Sequence, residues 1–244
     1  MILTLVLIEL KKYKRTAIPW MIAAGGSLPA GVAIFVALTD YQKVNWDVYT
    51  VKGLDYMNIL ALLLVAVFTG FVFAGENTNN IDNILFTYPV ARIKFFISKF
   101  IVILFFTFTL YLSFSFFTML FGVLGIGSLP DMTIIFKLLE ISLLLSAVQF
   151  VLVPVTMLFI VFVKGAATCL FAGMAYFVFY ISFFSTEISL YIPVCMPDKL
   201  AAEYFNHGVL SSSDITSIAA ICAIVFLSAV IIGAGFYLKQ DVGN

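Results

Sequence analysis

The stretch GENTNNIDNILFTYPVARIKFFISK, Gly75 to Lys99, decides how the rest of the chain is read. It is a polar interruption between two apolar runs, Tyr56–Gly75 before it and Phe95–Gly122 after it. Each run is long enough to cross a bilayer, which takes about 20 apolar residues. Placed on a helix, Ile81, Ile84, Leu85 and Tyr88 share one arc by the i, i+3, i+4, i+7 rule. Asn79, Asn80, Asp82, Asn83 and Thr87 face away from it. Glu76 stands at the positive N-terminal end, where an acid gains about 0.3–1 kcal/mol. Pro89 stops the helix and holds Tyr88 toward extended geometry. So short a helix does not persist alone in water; it needs a surface for its apolar arc, which the undersides of the spans supply. Phe86 projects from the polar face. A lone exposed aromatic is common on any surface, and an aromatic ringed by polar groups is also the form of a docking anchor. Arg92 and Lys94 mark a headgroup layer. Lys99 is expected to snorkel from the start of the following span.

Composition sets the class. The chain of 244 residues is 63% hydrophobic and 11% charged, against about 25% charged in an ordinary soluble domain. Mean hydropathy is +1.14. This is the composition of an all-α integral membrane protein. A net charge of zero gives no basic field for nucleic acid. Cys169, Cys195 and Cys222 form neither a CxxC pair nor a disulfide framework, and no metal-ligand spacing is present. No cleavable leader is read at the start, because the apolar residues Met1–Ile8 precede the basic cluster instead of following it.

Outward from the central stretch, six spans are expected: about 17–38, 56–75, 95–122, 134–163, 166–184 and 215–238. Residues 1–15 end in Lys11, Lys12, Lys14 and Arg15 and are too few to cross about 30 Å. They form an interfacial helix. Gly26 with Ala30, Ser27 with Gly31, and Ala229 with Gly233 are small-xxx-small pairs that let helices approach closely. Ten phenylalanines between Phe95 and Phe121 give a packing and lipid-facing surface. The fourth span is a thirty-residue helix, longer than the hydrocarbon, so it tilts or protrudes. Lys137 and Glu140 at its start are placed to pair at i,i+3. Gln149 and Pro154 are its notable mid-membrane residues. Gln149 is expected first to hydrogen-bond between helices and second, with Pro154, to border a substrate path. Residues 185–213 read as a re-entrant region, broken by Pro193 and Pro197, with a short amphipathic helix from Asp198 to Phe205. Leu200, Ala201, Tyr204 and Phe205 lie on one side of that helix. Ser212, Ser213 and Asp214 are N-cap candidates for the last span.

Six crossings put both termini on one side. That side collects nine basic residues: Lys11, Lys12, Lys14, Arg15, Arg92, Lys94, Lys99, Lys164 and Lys239. The other has four: Lys43, Lys52, Lys137 and Lys199. The bias places both termini and the central stretch in the cytoplasm of a plasma-membrane protein.

The residues offer no catalytic constellation. The one histidine, His207, falls in an outer loop and reads as a surface residue. The middles of the spans show no paired carboxylates that would mark a proton or ion path. No GxxxxGK[ST] phosphate loop is present.

Two stretches carry a family resemblance. One is Glu9–Leu10–Lys11–Lys12 with Lys14 and Arg15 before the first span. The other is Gly75–Glu76, the polar helix, then Leu85–Phe86–Thr87–Tyr88–Pro89–Val90–Ala91–Arg92, with Lys99 leading into the third span. In these the chain resembles the permease subunits of type-2 ABC exporters, in particular the small six-span permeases of bacitracin and lantibiotic self-protection. The resemblance implies that residues 76–89 are a coupling helix seated in a groove of an ATPase, with Glu76, Asp82, Asn83, Phe86 and Arg92 at the contact. The family often has a small hydroxyl residue where Ala91 stands. The resemblance further implies that ATP and Mg are bound by a separate ATPase dimer, that a second permease subunit, identical or not, completes the pathway, and that an amphipathic peptide antibiotic or other hydrophobic substrate is expelled from the bilayer. The alternatives are a permease for another lipid or drug, and the membrane-embedded binding subunit of a vitamin importer. The cytoplasmic helix argues against the importer.

Overall fold

In hydrocarbon a backbone must satisfy its own polar groups, so apolar runs of this length fold as helices. The computed structural model describes residues 2–39, 45–77, 92–163, 167–206 and 211–239. Its elements in order are α1 (Ile2–Tyr13), α2 (Ile18–Thr39), α3 (Trp46–Asn77), α4 (Arg92–Ile126), α5 (Met132–Phe150), α6 (Leu152–Val163) and α7 (Thr168–Phe183). A 3-10 turn (Glu187–Tyr191), α8 (Met196–Asn206) and α9 (Ser212–Lys239) follow. No strand occurs among the described residues.

Five helical stretches are long and apolar enough to cross a membrane: Ile18–Thr39, Trp46–Phe73, Ile93–Ile126, Met132–Phe162 and Ser213–Phe236. The apolar helix α7 has 16 residues, about 24 Å of rise against about 30 Å of hydrocarbon. The expected fifth span, 166–184, falls on this shorter element.

The long helix α4 lies at the centre and packs against α1, α2, α3 and α5. Its contact with α2 is made by small residues. Gly25, Gly26, Pro29, Ala30, Ala33 and Ala37 are buried, while Trp20, Leu28 and Phe35 on the other side are exposed. A Cβ added at Gly26 would stand 2.5 Å from Ser113 Oγ and 2.7 Å from the Phe114 backbone nitrogen. Glycine is what allows the two backbones to sit this close. On α9, Ala229 and Gly233 are both buried, with Gly233 against Met157 of α6. The α4 phenylalanines divide: Phe96, Phe100, Phe106 and Phe114 are core, whereas Phe105 and Phe116 are exposed.

α3 runs antiparallel to α4. Trp46 meets Gly122 at one end, and Phe73 meets the Phe96 and Phe100 rings at the other. Gly127, at φ +73°, ends α4 by bonding its N–H to the Val123 carbonyl. This is the left-handed termination that glycine favours.

Several expectations are corrected. α3 begins ten residues earlier than Tyr56, because tertiary contacts recruit the polar approach. Trp46 Nε1 donates to Ser128 Oγ at 3.2 Å. The Tyr49 hydroxyl reaches the Ala30 and Thr118 carbonyls at 3.3 and 3.1 Å. The thirty-residue fourth span is two helices meeting at Val151, whose N–H turns back to the Val148 carbonyl. Pro154 explains the break: it has no N–H for the Phe150 carbonyl, and its ring crowds that carbonyl. Lys137 and Glu140 do not pair; Glu140 instead accepts a hydrogen bond from the Tyr204 hydroxyl. The cap of α9 is Ser211, one residue before the expected set. Its hydroxyl meets the Asp214 N–H, while Asp214 Oδ2 accepts from the Ser211 N–H at 2.9 Å, a reciprocal box. Lys99 does not snorkel to a headgroup layer. It is 3% exposed, with its ammonium 5.2 Å from the centre of the Phe73 ring, so the aromatic wall of α3 encloses it.

Candidate functional site

Two places in the bundle carry the functional candidates. At the end where α3 stops and α4 starts, Phe73, Phe96 and Phe100 form a ring cluster with centroids 4.9–6.3 Å apart. The cluster clamps the two helix ends side by side. The connection 78–91 therefore leaves and returns at the same end of the bundle. Glu76 lies in the last turn of α3 and Arg92 is the first residue of α4. Asp82, Asn83 and Phe86, and with them the expected coupling helix beyond residue 77, lie outside the described residues.

About midway along α3 and α4 a polar cluster is enclosed by apolar helices. Asn58 of α3, Tyr111 of α4, Tyr180 of α7 and Asp198 of α8 are all at least 93% buried. Asn58 Nδ2 donates to Asp198 Oδ1 at 2.7 Å. The Tyr111 hydroxyl donates to Asn58 Oδ1 at 2.9 Å, and Tyr180 lies beside Asp198. Asn58 thus spends both ends of its amide, donating to one partner and accepting from the other. Asp198 belongs to α8, which is not one of the spans, and burial pushes its carboxyl up to about 7. The neighbouring charge of Asp55 pushes the same way, while Asn58, Tyr180 and Lys199 pull against it. Lys199 itself lies 4.8 Å above the Phe184 ring and donates to the Phe184 carbonyl at 3.3 Å. The cluster ties the long helices α3 and α4 to the short helix α8. It offers a proton-sensitive clasp, and no metal-ligating group of His, Cys, Asp and Glu occurs among the described residues.

Single polar contacts join other helix pairs. Ser115 and Ser142 hydroxyls meet at 2.7 Å between α4 and α5, and Thr156 meets the Tyr176 hydroxyl at 3.0 Å between α6 and α7. Gln149 departs from this pattern. It is fully buried, and neither of its amide atoms has a hydrogen-bond partner among the described residues. The expected interhelical bond is not made. Pro154 is buried one turn beyond it, past the break.

A family model described as an ABC-2 family transporter protein matches residues 5–182. The chain belongs to the ABC-2 transporter family. It is accordingly a multi-pass permease subunit of an ABC transporter, a transport subunit and not itself a catalytic enzyme, and it works in the membrane with an ATPase partner. A comparison with curated proteins gives no significant match.

The matched region of the permease covers Asn58, Tyr111 and Tyr180 of the polar cluster and stops before α8. Sequence reasoning missed this cluster. Two signals in the ABC-2 permease were available. Asn58 interrupts an otherwise apolar run, and Asp198 shares a helical face with Ala201 and Phe205 at i+3 and i+7. A carboxylate on the apolar side of an amphipathic helix signals a buried partner.

Proposed function

We propose that this permease is the membrane half of an exporter that removes amphipathic, membrane-active peptides from the bilayer, in the manner of the bacitracin and lantibiotic self-protection systems it resembles. The observation that carries the mechanical part is the clamped pair of helix ends. α3 and α4 are held together by Phe73, Phe96 and Phe100, so a push on residues 76–92 is delivered to both long central helices at once. Glu76, Asp82, Asn83, Phe86 and Arg92 are the contacts on this connection. ATP and Mg act on the partner ATPase dimer. A second permease subunit completes the pathway, with the termini in the cytoplasm as the nine-to-four basic bias supports. Closure of the motor would rock the spans between inward- and outward-open states.

The peptide class is supported by the apolar character of the spans, which suits a substrate entering from lipid. On this reading Gln149 and Pro154, at the break between α5 and α6, border the path when the helices separate, and the unpartnered Gln149 amide is free to serve a cargo. Residues 185–213 form a re-entrant outer region, and the Asn58–Asp198 clasp holds it shut.

The test is reconstitution of the permease with its ATPase in liposomes loaded with a fluorescent cationic amphipathic peptide. ATP-dependent loss of peptide from the membrane is expected. Peptide retention equal to that without ATP, across a panel of such peptides alongside active lipid or drug transport, would overturn the peptide reading.

A further inference from the structure

A cavity of about 510 Å³ lies between α1, the first turns of α2 and the middle of α4. Its walls are Leu7 and Leu10 of α1, Ile18 and Ile22 of α2, and Phe105 and Phe106 of α4. Lys11 and Lys14 also line it, with Tyr13, Pro19 and Thr109. Both lysines are exposed, and neither makes an ion pair among the described residues, where the one salt bridge joins Lys12 to Glu9. The cavity is within the size range of small-molecule sites, about 300–1,000 Å³.

Three features define what fits. The walls are hydrocarbon, so an apolar tail is favoured there. The lining carries two cations without carboxylate partners, so an anionic head is favoured beside the tail. The site lies where α2 begins its crossing and α1 does not cross, which is headgroup depth for a helix of 22 residues. Basic pockets between helices at this depth suit anionic lipid headgroups.

We propose that this cavity is a binding site for one anionic phospholipid, with an acyl chain against Ile22 and Phe105 and its phosphate between Lys11 and Lys14. The lipid bridges α1 to α2 and α4 and so seats the interfacial helix against the bundle. The site is separate from the 76–92 connection and from the outer clasp, and does not depend on the direction of transport or the cargo.

The experiment is native mass spectrometry of the full-length permease titrated in detergent with phosphatidylglycerol and with phosphatidylcholine of the same chains. Each lysine near an anionic headgroup is worth roughly a fivefold preference, so the wild type should favour phosphatidylglycerol by about twenty-fivefold. Lys11→Gln with Lys14→Gln should abolish that preference and leave phosphatidylcholine binding unchanged. Lys11→Arg with Lys14→Arg should keep it. The thermal midpoint without lipid, read in parallel, shows that the glutamine variant is folded. If it is not, Ile22→Trp, which fills the cavity and keeps both lysines, must lower phosphatidylglycerol binding. Equal binding of the two lipids by the wild type overturns the proposal, as does a preference that survives the glutamine substitutions. Displacement of the lipid by glycerol 3-phosphate at comparable concentration would show an anion site with no use for the tail, and would overturn it too.

Discussion

Asn58 and Asp198, 140 residues apart in sequence, are joined by a buried hydrogen bond of 2.7 Å. The bond fastens α8, outside the spans, to the second long helix. Tyr111 secures the other end of the Asn58 amide, so the orientation of the donor is set from α4. The Asp198 carboxyl, raised to about 7, makes this contact responsive to pH. Above its ordinary value and up to about pH 7 the folded protein holds a proton there that the unfolded chain has released. Stability on this account falls as pH rises from about 4 to about 7, and levels off above that. Three pKa units correspond to roughly 4 kcal/mol as an upper bound. Asp198→Asn should keep the hydrogen-bonded shape and flatten the dependence. Thermal midpoints in nanodiscs from pH 4.5 to 8 measure it; parallel pH profiles for wild type and variant would reject a role for Asp198.

The close contact of α2 with α4 predicts a sharp contrast between two neighbouring glycines. Gly26→Ala puts a Cβ within 2.7 Å of the α4 backbone, which does not yield like a side chain. Overpacking of this kind costs about 1–3 kcal/mol. Gly31→Ala meets only Phe121, at 3.7 Å, ordinary contact distance, and should be neutral or slightly stabilising. The two unfolding midpoints are compared in one detergent. Equal midpoints would mean that the helices can part without loss.

Gln149 gives the opposite sign. A buried amide without partners carries a desolvation penalty of about 1–3 kcal/mol. Gln149→Leu, close in volume and apolar, should raise stability by about 1–2 kcal/mol. If the amide serves a cargo, transport falls while the midpoint rises. A lowered midpoint would show that the amide is bonded after all.

For the coupling reading, Phe86→Asp with Asn83→Arg should abolish recovery of the ATPase with the tagged permease while leaving the amount of permease in the membrane unchanged. Undiminished recovery would remove Phe86 and Asn83 from the contact.

The sequence by itself determined the class and the all-helical character of the apolar runs, because every backbone group in hydrocarbon needs an internal partner; it counted six spans where five described helices are long and apolar enough to cross. It also marked which helix faces are small: Gly26 with Ala30 and Ala229 with Gly233 are buried faces in the structure. Periodicity placed the apolar side of α8, with Ala201 buried and Leu200, Tyr204 and Phe205 half-buried. Only the tertiary structure decided where polar residues went. Trp46 and Tyr49 read as part of a polar loop until Ser128, Ala30 and Thr118 supplied their partners. Lys99 read as a headgroup anchor until the Phe73 ring covered it. Asp198 read only as the first residue of a short amphipathic helix until Asn58 gave it a buried partner. The physical reason is common to all three. Burying an apolar side chain takes only a neighbour of any kind, which composition guarantees, whereas burying a polar one takes a particular partner, and that partner is chosen by folding.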